Sequence, residues 1–159
     1  MSFACVTAVC VALTTASSMG AQATPLRATS DVTIRMVLDY NDALDRCTRS
    51  ACANIDEVMG FYAADAVRYF PGQEPQIGVA AIRAGYVGRA ARLEQAVEVK
   101  SVERWGDMVV CKIERRDTTM RQAGVEHHVR VFLMKNGKIK QLVVLVDPDE
   151  DAKLRAGNP

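Results

Sequence analysis

The sequence predicts an α+β domain in which helices pack on one face of an antiparallel sheet. Two observations carry this prediction. Apolar residues recur at helical spacing in the first half of the chain, and from about residue 96 the hydrophobic period changes to two. The 159 residues, of which 49% are hydrophobic and 25% charged, are typical of one soluble domain. The formal net charge of +1 gives no electrostatic basis for a nucleic-acid or membrane partner, so we expect neither.

The N-terminal segment resembles an export signal. Its first 26 residues contain no Lys, Arg, Asp or Glu, and Phe3–Leu13 is an apolar run too short to span a bilayer. The small residues of Ala21–Ala23 suit a signal peptidase. We therefore predict a signal peptide over residues 1–23, a linker over 24–30, a domain over 31–148, a flexible tail over 149–159, and export to the periplasm or outside the cell. The segment lacks the usual basic residues, so a disordered or mis-started N-terminus is the alternative.

Three cysteines follow this segment. In an oxidising compartment Cys47 and Cys52 can close a short disulfide loop, with two free thiols as the alternative. Cys111 alternates with Val109 and Ile113, which predicts a small buried hydrophobic residue.

Two helices are predicted first. Ser30 or Asp31 can cap a helix that runs to about Arg46. Asn54 and Glu57 resemble a capping box that opens the second helix. The predicted buried stripes are Ile34, Val37, Leu38, Asn41 and Leu44 in the first helix, and Ile55, Val58, Met59 and Tyr62 in the second.

A short strand, Ala66–Phe70, is predicted next and stops at Pro71 and Gly72. The third helix runs from about Val79 to Leu93 and buries Ile82, Tyr86 and Leu93. Four further strands are predicted at about Ala96–Trp105, Met108–Thr118, Val125–Lys135 and Ile139–Val146.

The last two strands are apolar on both faces. Val129, Val131 and Leu133 lie on one face of their strand, and Phe132 and Met134 lie on the other. The final strand repeats this pattern through Leu142, Val143, Val144, Leu145 and Val146. A sheet that is apolar on both sides has both sides covered. We expect helices or a pocket on one side, and a homodimer contact or a loop on the other.

Three strings, in this order, resemble the nuclear transport factor 2-like superfamily: FYAADAV (Phe61–Val67), GVAAIRAGY (Gly78–Tyr86) and NGKIKQLVVLVD (Asn136–Asp147). The superfamily includes SnoaL-like polyketide cyclases, ketosteroid isomerase and limonene epoxide hydrolase. The resemblance implies a cone-shaped, cystatin-like roll, in which a curved antiparallel sheet wraps around three N-terminal helices. It also implies an apolar pocket for a small lipophilic molecule and no cofactor. The superfamily mixes enzymes with binding modules, so the fold alone does not decide function.

The strand Met108–Thr118 carries the first site candidates. Arg115 and Asp117 share a face with Val109, Cys111 and Ile113, which predicts a pocket floor with a polar mouth. A solvated ion pair is the alternative. The string ERRD also resembles a limonene epoxide hydrolase strand, where an Asp activates water and an Arg holds it. This resemblance implies that Asp117 is a base and Arg115 its orienting partner.

Adjacent His127 and His128 point to opposite faces of a regular strand, so they cannot bind one metal together. The chain has no third histidine, and we expect no metal site. The fold resemblance puts His128 inward as an acid beside Asp117, whereas the apolar stripe of Val129 and Val131 favours His127. A slip of one residue exchanges the two faces, so both orientations stay open.

Two positions depart from the related enzymes. Val144 stands where limonene epoxide hydrolase has its second Asp, and Phe70, before Pro71, stands where ketosteroid isomerase has its carboxylate. Tyr40 matches a first-helix Tyr of ketosteroid isomerase, which implies a hydrogen bond to a substrate oxygen, and a buried core Tyr is the alternative.

The first hypothesis is therefore a cofactor-independent acid–base enzyme of the isomerase, cyclase or epoxide hydrolase type. Its predicted catalytic residues are Asp117, Arg115, His128 and Tyr40. The second hypothesis is a non-catalytic, exported module for small-ligand binding or assembly. The predicted substrate-binding residues are Asn41, Tyr69, Ile113, Phe132, Leu142 and Val144. Arg68 points the opposite way from Tyr69 on the short strand, and it is the alternative to Tyr69 at the pocket rim.

Overall fold

A computed structural model describes residues 29–90, 95–117 and 125–146. The helices and strands are, in chain order, α1 (Val32–Arg49), α2 (Ile55–Gly60), β1 (Tyr62–Tyr69), β2 (Gln76–Ile77), α3 (Gly78–Ala90), β3 (Gln95–Trp105), β4 (Met108–Asp117), β5 (Val125–Lys135) and β6 (Lys138–Val146). The predicted α+β class is confirmed. The predicted signal peptide, C-terminal tail, Leu93 and Thr118 lie outside the described residues.

The six strands form one open sheet in the order β2-β1-β6-β5-β4-β3. The antiparallel meander from β3 to β6 agrees with the prediction. One pairing differs from the expected antiparallel sheet, because β1 runs parallel to β6, with Arg68 opposite Leu142. A parallel pair requires a long crossover, and α3 together with β3–β5 supplies it. The sheet is therefore mixed.

Register shifts in β1, β3 and β5 bend the sheet around the helices. α1 lies against β3 and β4, and α3 lies against β1 and β2. We call the helix-covered side of the sheet the inner face. The core lies there, and Phe132 of β5 meets Tyr40 of α1 edge-on, with 5.5 Å between ring centroids.

The start of α1 follows the prediction. Oδ1 of Asp31 accepts hydrogen bonds from the backbone N–H groups of Thr33 at 2.8 Å and Ile34 at 3.2 Å. These contacts satisfy two of the donors that a helix N-terminus leaves without partners. The helix continues one turn beyond the predicted end, to Arg49.

The second predicted helix is shorter than expected. α2 stops at Gly60, and Tyr62 begins β1 instead of completing the helical stripe. The reason is tertiary, because β6 pairs with this segment and the backbone N–H of Ile139 donates to the carbonyl of Phe61 at 2.9 Å. The capping box is also wrong, since the Asn54 side chain makes no cap hydrogen bond. Its Nδ2 donates to Glu57 instead.

Cys47 and Cys52 form a disulfide that joins the end of α1 to the turn before α2. Both residues are buried. Cys111 forms no disulfide in the described part of the chain and is buried, as predicted. Burial raises the pKa of its thiol to about 12, so at neutral pH it is a protonated, poorly nucleophilic group.

The outer face of the sheet carries a partly exposed apolar strip beside the charged side chains of Glu114 and His127. Leu133 and Leu145 are 38% and 51% exposed, and the valines between them are half-buried. Within the described ranges, no helix has the length and apolar character needed to cross a membrane.

Candidate functional site

The inner face of β4, β5 and β6 carries the predicted lining. Pairing places Val109, Phe132 and Leu142 in one row across the three strands. A second row contains Cys111, Arg130 and Val144, and a third begins with Ile113 and His128. Apart from Tyr69, the predicted substrate-binding residues are all buried: Asn41, Ile113, Phe132, Leu142 and Val144.

His128 is the histidine that lies inside. It is 2% exposed, whereas the side chain of His127 is 62% exposed and lies 3.8 Å from Glu114 on the outer face. This is the orientation that the fold resemblance implied. Arg115 is 7% exposed on the same inner face. The structure therefore brings a buried imidazole and a buried guanidinium to one side of the sheet, while their catalytic roles stay predictions.

Asp117 ends β4, where its backbone pairs with Gln95 of β3. Its side chain lies outside the described part of the chain, so its role as base also stays a prediction.

The Asn41 side chain orients the guanidinium group of Arg130. Its Oδ1 accepts a hydrogen bond of 2.6 Å from Nη1 of Arg130, which is 6% exposed. Its Nδ2 donates to the carbonyl of Val37 at 2.7 Å, which fixes the amide on α1. Asn41 thus orients Arg130, a buried residue that the sequence interpretation did not select. The signal was present, because Arg130 shares the period-two face of His128 and Phe132.

Arg68 takes the position expected of Tyr69. Alternation along β1 directs Arg68 inward, at 5% exposure, and Tyr69 outward, at 39% exposure. Tyr69 is therefore separated from the buried group. Nη1 of Arg68 donates to Oε1 of Gln76 at 2.8 Å, and its guanidinium carbon lies 4.3 Å from the centroid of the Tyr86 ring. Nε of Arg68 is buried and has no hydrogen-bond partner among the described atoms.

A glycine in α3 permits this arrangement. A Cβ atom on Gly85 would lie 2.3 Å from Nε2 of Gln76, the amide that holds Arg68. The absence of a side chain at Gly85 therefore lets the Gln76 amide lie close to α3, where it accepts the hydrogen bond from Arg68. A glycine inside a predicted helix marks such a close approach, although the sequence does not say what approaches.

Three tyrosine hydroxyls meet in the interior beside Arg68. The hydroxyl of Tyr40 lies 2.9 Å from that of Tyr62 and 2.5 Å from that of Tyr86, and the remaining pair is 2.9 Å apart. A hydroxyl has one proton and two lone pairs. Three contacts use all three protons, so Tyr40 can donate to a substrate oxygen only when that oxygen displaces another tyrosine.

The tyrosines differ in acidity. Burial raises the pKa of Tyr40 and of Tyr62, because a phenolate is poorly solvated in the interior. Burial also opposes ionisation of Tyr86, but the charges of Arg68 and Arg130 and the two neighbouring hydroxyls outweigh it and lower the pKa. Tyr86 is therefore the member of the triad that most readily becomes an anion.

The buried polar residues in the described chain are Asn41, Arg68, Arg115, His128 and Arg130. This group contains no carboxylate, and no cluster of three His, Cys, Asp or Glu residues with metal-binding geometry occurs in the described residues. A pocket of about 300 Å³ lies elsewhere, on the surface between the start of α1 and the β5–β6 turn, and its lining includes none of the buried polar residues.

We predict that Tyr86 is the first of the three triad tyrosines to ionise as pH rises, as measured by absorbance at 295 nm. Tyr86→Phe removes this step, and Arg68→Met moves it to higher pH because one stabilising charge is lost. The pKa is lowered on folding, so the contribution of Tyr86 to stability increases as pH rises through the folded pKa towards the unfolded value of about 10. Tyr69→Phe, on the outer side of β1, is the control. A first step that persists in Tyr86→Phe would contradict the assignment.

Comparison with known proteins yields structural matches. No protein-family model and no curated protein matches the sequence. A putative SnoaL-like polyketide cyclase from Shewanella putrefaciens CN-32 is similar in structure, with a TM-score of 0.68, 14% identity and coverage of 87% of this chain and 98% of the other. An LEH-like epoxide hydrolase from M. tuberculosis has a TM-score of 0.64, 18% identity and coverage of 77% and 90%. An NTF2-like protein of unknown function from Burkholderia pseudomallei has a TM-score of 0.65 and 16% identity. The match covers 77% of this chain and 95% of the other. The chain has the fold of the nuclear transport factor 2-like superfamily, as the resemblance implied.

Proposed function

We propose that the protein is a cofactor-independent enzyme that performs acid–base chemistry on a small lipophilic substrate between the inner face and the helices. The reaction is an isomerisation, a cyclisation or an epoxide opening. The observation that carries the proposal is the burial of His128 and Arg115, at 2% and 7% exposure, among apolar side chains. Burial of basic groups is costly, and ionisable groups in such surroundings concentrate at functional sites.

In this proposal Asp117 takes a proton, and Arg115 orients it and stabilises negative charge that develops on the substrate. His128, in its protonated form, gives a proton to the substrate and becomes neutral, and proton transfer from Asp117 to His128 restores both groups. An imidazole can either accept or donate a proton, which suits it to this role. Tyr40 donates to a substrate oxygen that replaces one hydroxyl of the triad. The structural similarity to a SnoaL-like cyclase and an LEH-like hydrolase shows that this fold can host such reactions.

A non-catalytic binding module is the second candidate. It is favoured by Val144, an apolar residue 4% exposed on the inner face, and by the absence of any carboxylate among the buried residues that the structure describes. Such a module would use the same interior to hold a ligand without transforming it.

Turnover of epoxides and enones distinguishes the two candidates. In a substrate screen we expect Asp117→Asn and His128→Gln each to lower kcat by about 10²–10⁴-fold, since each removes a proton-transfer group. Arg116→Gln is the matched control, because the Arg116 side chain is 61% exposed and belongs to the same strand. Normal turnover in Asp117→Asn with intact folding would remove Asp117 as the base. Binding without turnover across the whole screen would favour the binding module.

We also propose that the protein forms a homodimer through the outer face of β4, β5 and β6. Val110, Val131 and Val143 are paired across these strands and half-buried, and Leu145 is 51% exposed beside them. Continuous apolar surface of this kind is typical of a protein interface.

We predict that Val131→Lys converts a dimer to a monomer, as measured by light scattering coupled to size-exclusion chromatography, because a charge would be buried in the interface. Ile77→Lys on β2, at a site that is 70% exposed, is the control and leaves the dimer intact. A wild-type monomer at micromolar concentration would contradict the proposal and indicate that another part of the chain covers this face.

Export remains a proposal, and the disulfide between Cys47 and Cys52 supports it, since such bonds persist in oxidising compartments. When the full chain is expressed in a Gram-negative bacterium, we expect the periplasmic form to begin near Thr24, with the disulfide formed. Intact-mass spectrometry before and after reduction measures both properties. Ala23→Phe blocks cleavage, whereas Cys47→Ser leaves cleavage intact and removes the mass change on reduction. An uncleaved cytoplasmic protein in its reduced form would contradict export.

A further inference from the structure

Two buried arginines have only neutral partners in the structure. Arg68, 5% exposed, contacts Gln76, Phe70 and Tyr86. Arg130, 6% exposed, contacts Asn41. Neither arginine takes part in an ion pair within the described ranges, whereas exposed arginines such as Arg46 and Arg83 do. Among the side chains that the structure describes, the buried arginines therefore differ from the surface arginines in having no carboxylate partner.

The guanidinium groups of Arg68 and Arg130 both approach the tyrosine hydroxyl triad. β1 and β5 flank β6, so the two strands lie about 10 Å apart, and two arginine side chains can converge from this distance. The guanidinium carbon of Arg68 lies 4.3 Å from the centroid of the Tyr86 ring, whose hydroxyl belongs to the triad. Arg130 donates to Asn41, the residue that follows Tyr40 on α1, so both guanidinium groups approach the triad. The hydroxyls, whose protons are used within the triad, present lone pairs to the guanidinium groups.

An arginine keeps its charge at any physiological pH, so it cannot escape the cost of burial by losing a proton. A buried cation without an opposite charge is costly, and its removal from a protein often stabilises the fold. Nε of Arg68 is in addition a buried donor without a described acceptor. Arg68 and Arg130 both approach the tyrosine triad, and a bound anion would balance their charge.

We propose that Arg68 and Arg130 bind the carboxylate of the ligand, and that the ligand is a small monocarboxylic acid with an apolar body. This inference rests on the proposed function, because it assigns a substrate class to the same interior. A carboxylate accepts paired hydrogen bonds from guanidinium groups and supplies the missing negative charge. The apolar body of the acid lies against the apolar inner face, where Phe132, Ile113 and Val144 are buried.

Roles within the cluster follow from this assignment. Arg68 and Arg130 bind the ligand, and Gln76 and Asn41 are positioning residues that hold the two guanidinium groups. Gly85 is the residue that leaves room for Gln76. The acid–base residues Asp117, Arg115 and His128 are not needed for carboxylate recognition.

The test measures binding to the full-length protein by titration calorimetry at pH 7. The probes are benzoate, phenylacetate and cinnamate, each compared with its uncharged primary amide, which keeps the shape and removes the charge. We expect at least one acid to bind at least tenfold more tightly than its amide. Arg68→Met and Arg130→Met each reduce this preference at least fivefold, and Arg68→Lys retains more of it than Arg68→Met. Arg116→Met removes the same formal charge at the surface and leaves the preference unchanged.

Thermal unfolding separates recognition from a structural role. Arg68→Met without ligand is expected to unfold at the wild-type temperature or above it, since a buried cation is removed. The proposal is overturned if no acid binds more tightly than its amide, or if the preference survives in both Met variants. It is also overturned if Arg68→Met lowers the unfolding temperature and leaves the preference intact. Carboxylate binding that persists in Asp117→Asn, in a protein that turns over nothing, would reject the enzyme and retain this inference.

Discussion

The register of β5 is the constraint on which the interior depends. Phe132 is fully buried and meets Tyr40 of α1 edge-on, so its position fixes the inward face of the strand. With Phe132 inside, alternation brings Arg130 and His128 inside as well. A slip of one residue would bury the valines on the opposite face and expose the phenylalanine ring. Aromatic rings bury more apolar area than valine and gain from edge-on contacts, so this register is preferred although it also buries two basic residues.

The β5 register buries Arg130, and a second arginine, Arg68 of β1, is buried in the same interior. Arg130 and Arg68 are each held by a side-chain amide, which satisfies part of their hydrogen bonding and supplies no opposite charge. The charges of the two arginines and the neighbouring hydroxyls outweigh burial and lower the pKa of Tyr86. In the same triad, burial raises the pKa of Tyr40. Buried positive charge of this kind stabilises negative charge that develops nearby.

Sequence patterns predicted the elements that local physics controls. The cap at Asp31 and the bounds of β5 agree with the structure, because a capping side chain and an alternating strand are visible within a few residues. The boundary between α2 and β1 was misplaced at Tyr62. That residue fits both a helical stripe and a strand, and pairing with β6, far away in the chain, decides between them.

The candidate site was only partly predictable for the same reason. His128 and the apolar lining follow from alternation once the register of β5 is known. Arg68 and Tyr69 were alternatives for the inward position on the short strand, and Tyr69 was chosen, although the structure places Arg68 inside. What keeps Arg68 inside is the amide of Gln76 and the ring of Tyr86, which belong to other elements and carry no local signal on β1.

The two proposals assign ligand recognition and proton transfer to different parts of the sheet. The paired cations come from β1 and β5, whereas the proposed base is the last residue of β4. No carboxylate is buried among the side chains that the structure describes, and the proposed base is a residue at a strand end. Under the two proposals, this residue can change without altering the arginines that are proposed to bind the ligand. One fold can therefore alternate between an enzyme and a binding protein through a residue at the edge of the site. Under the two proposals, the buried arginines select the charge of the ligand, whether or not the ligand is transformed.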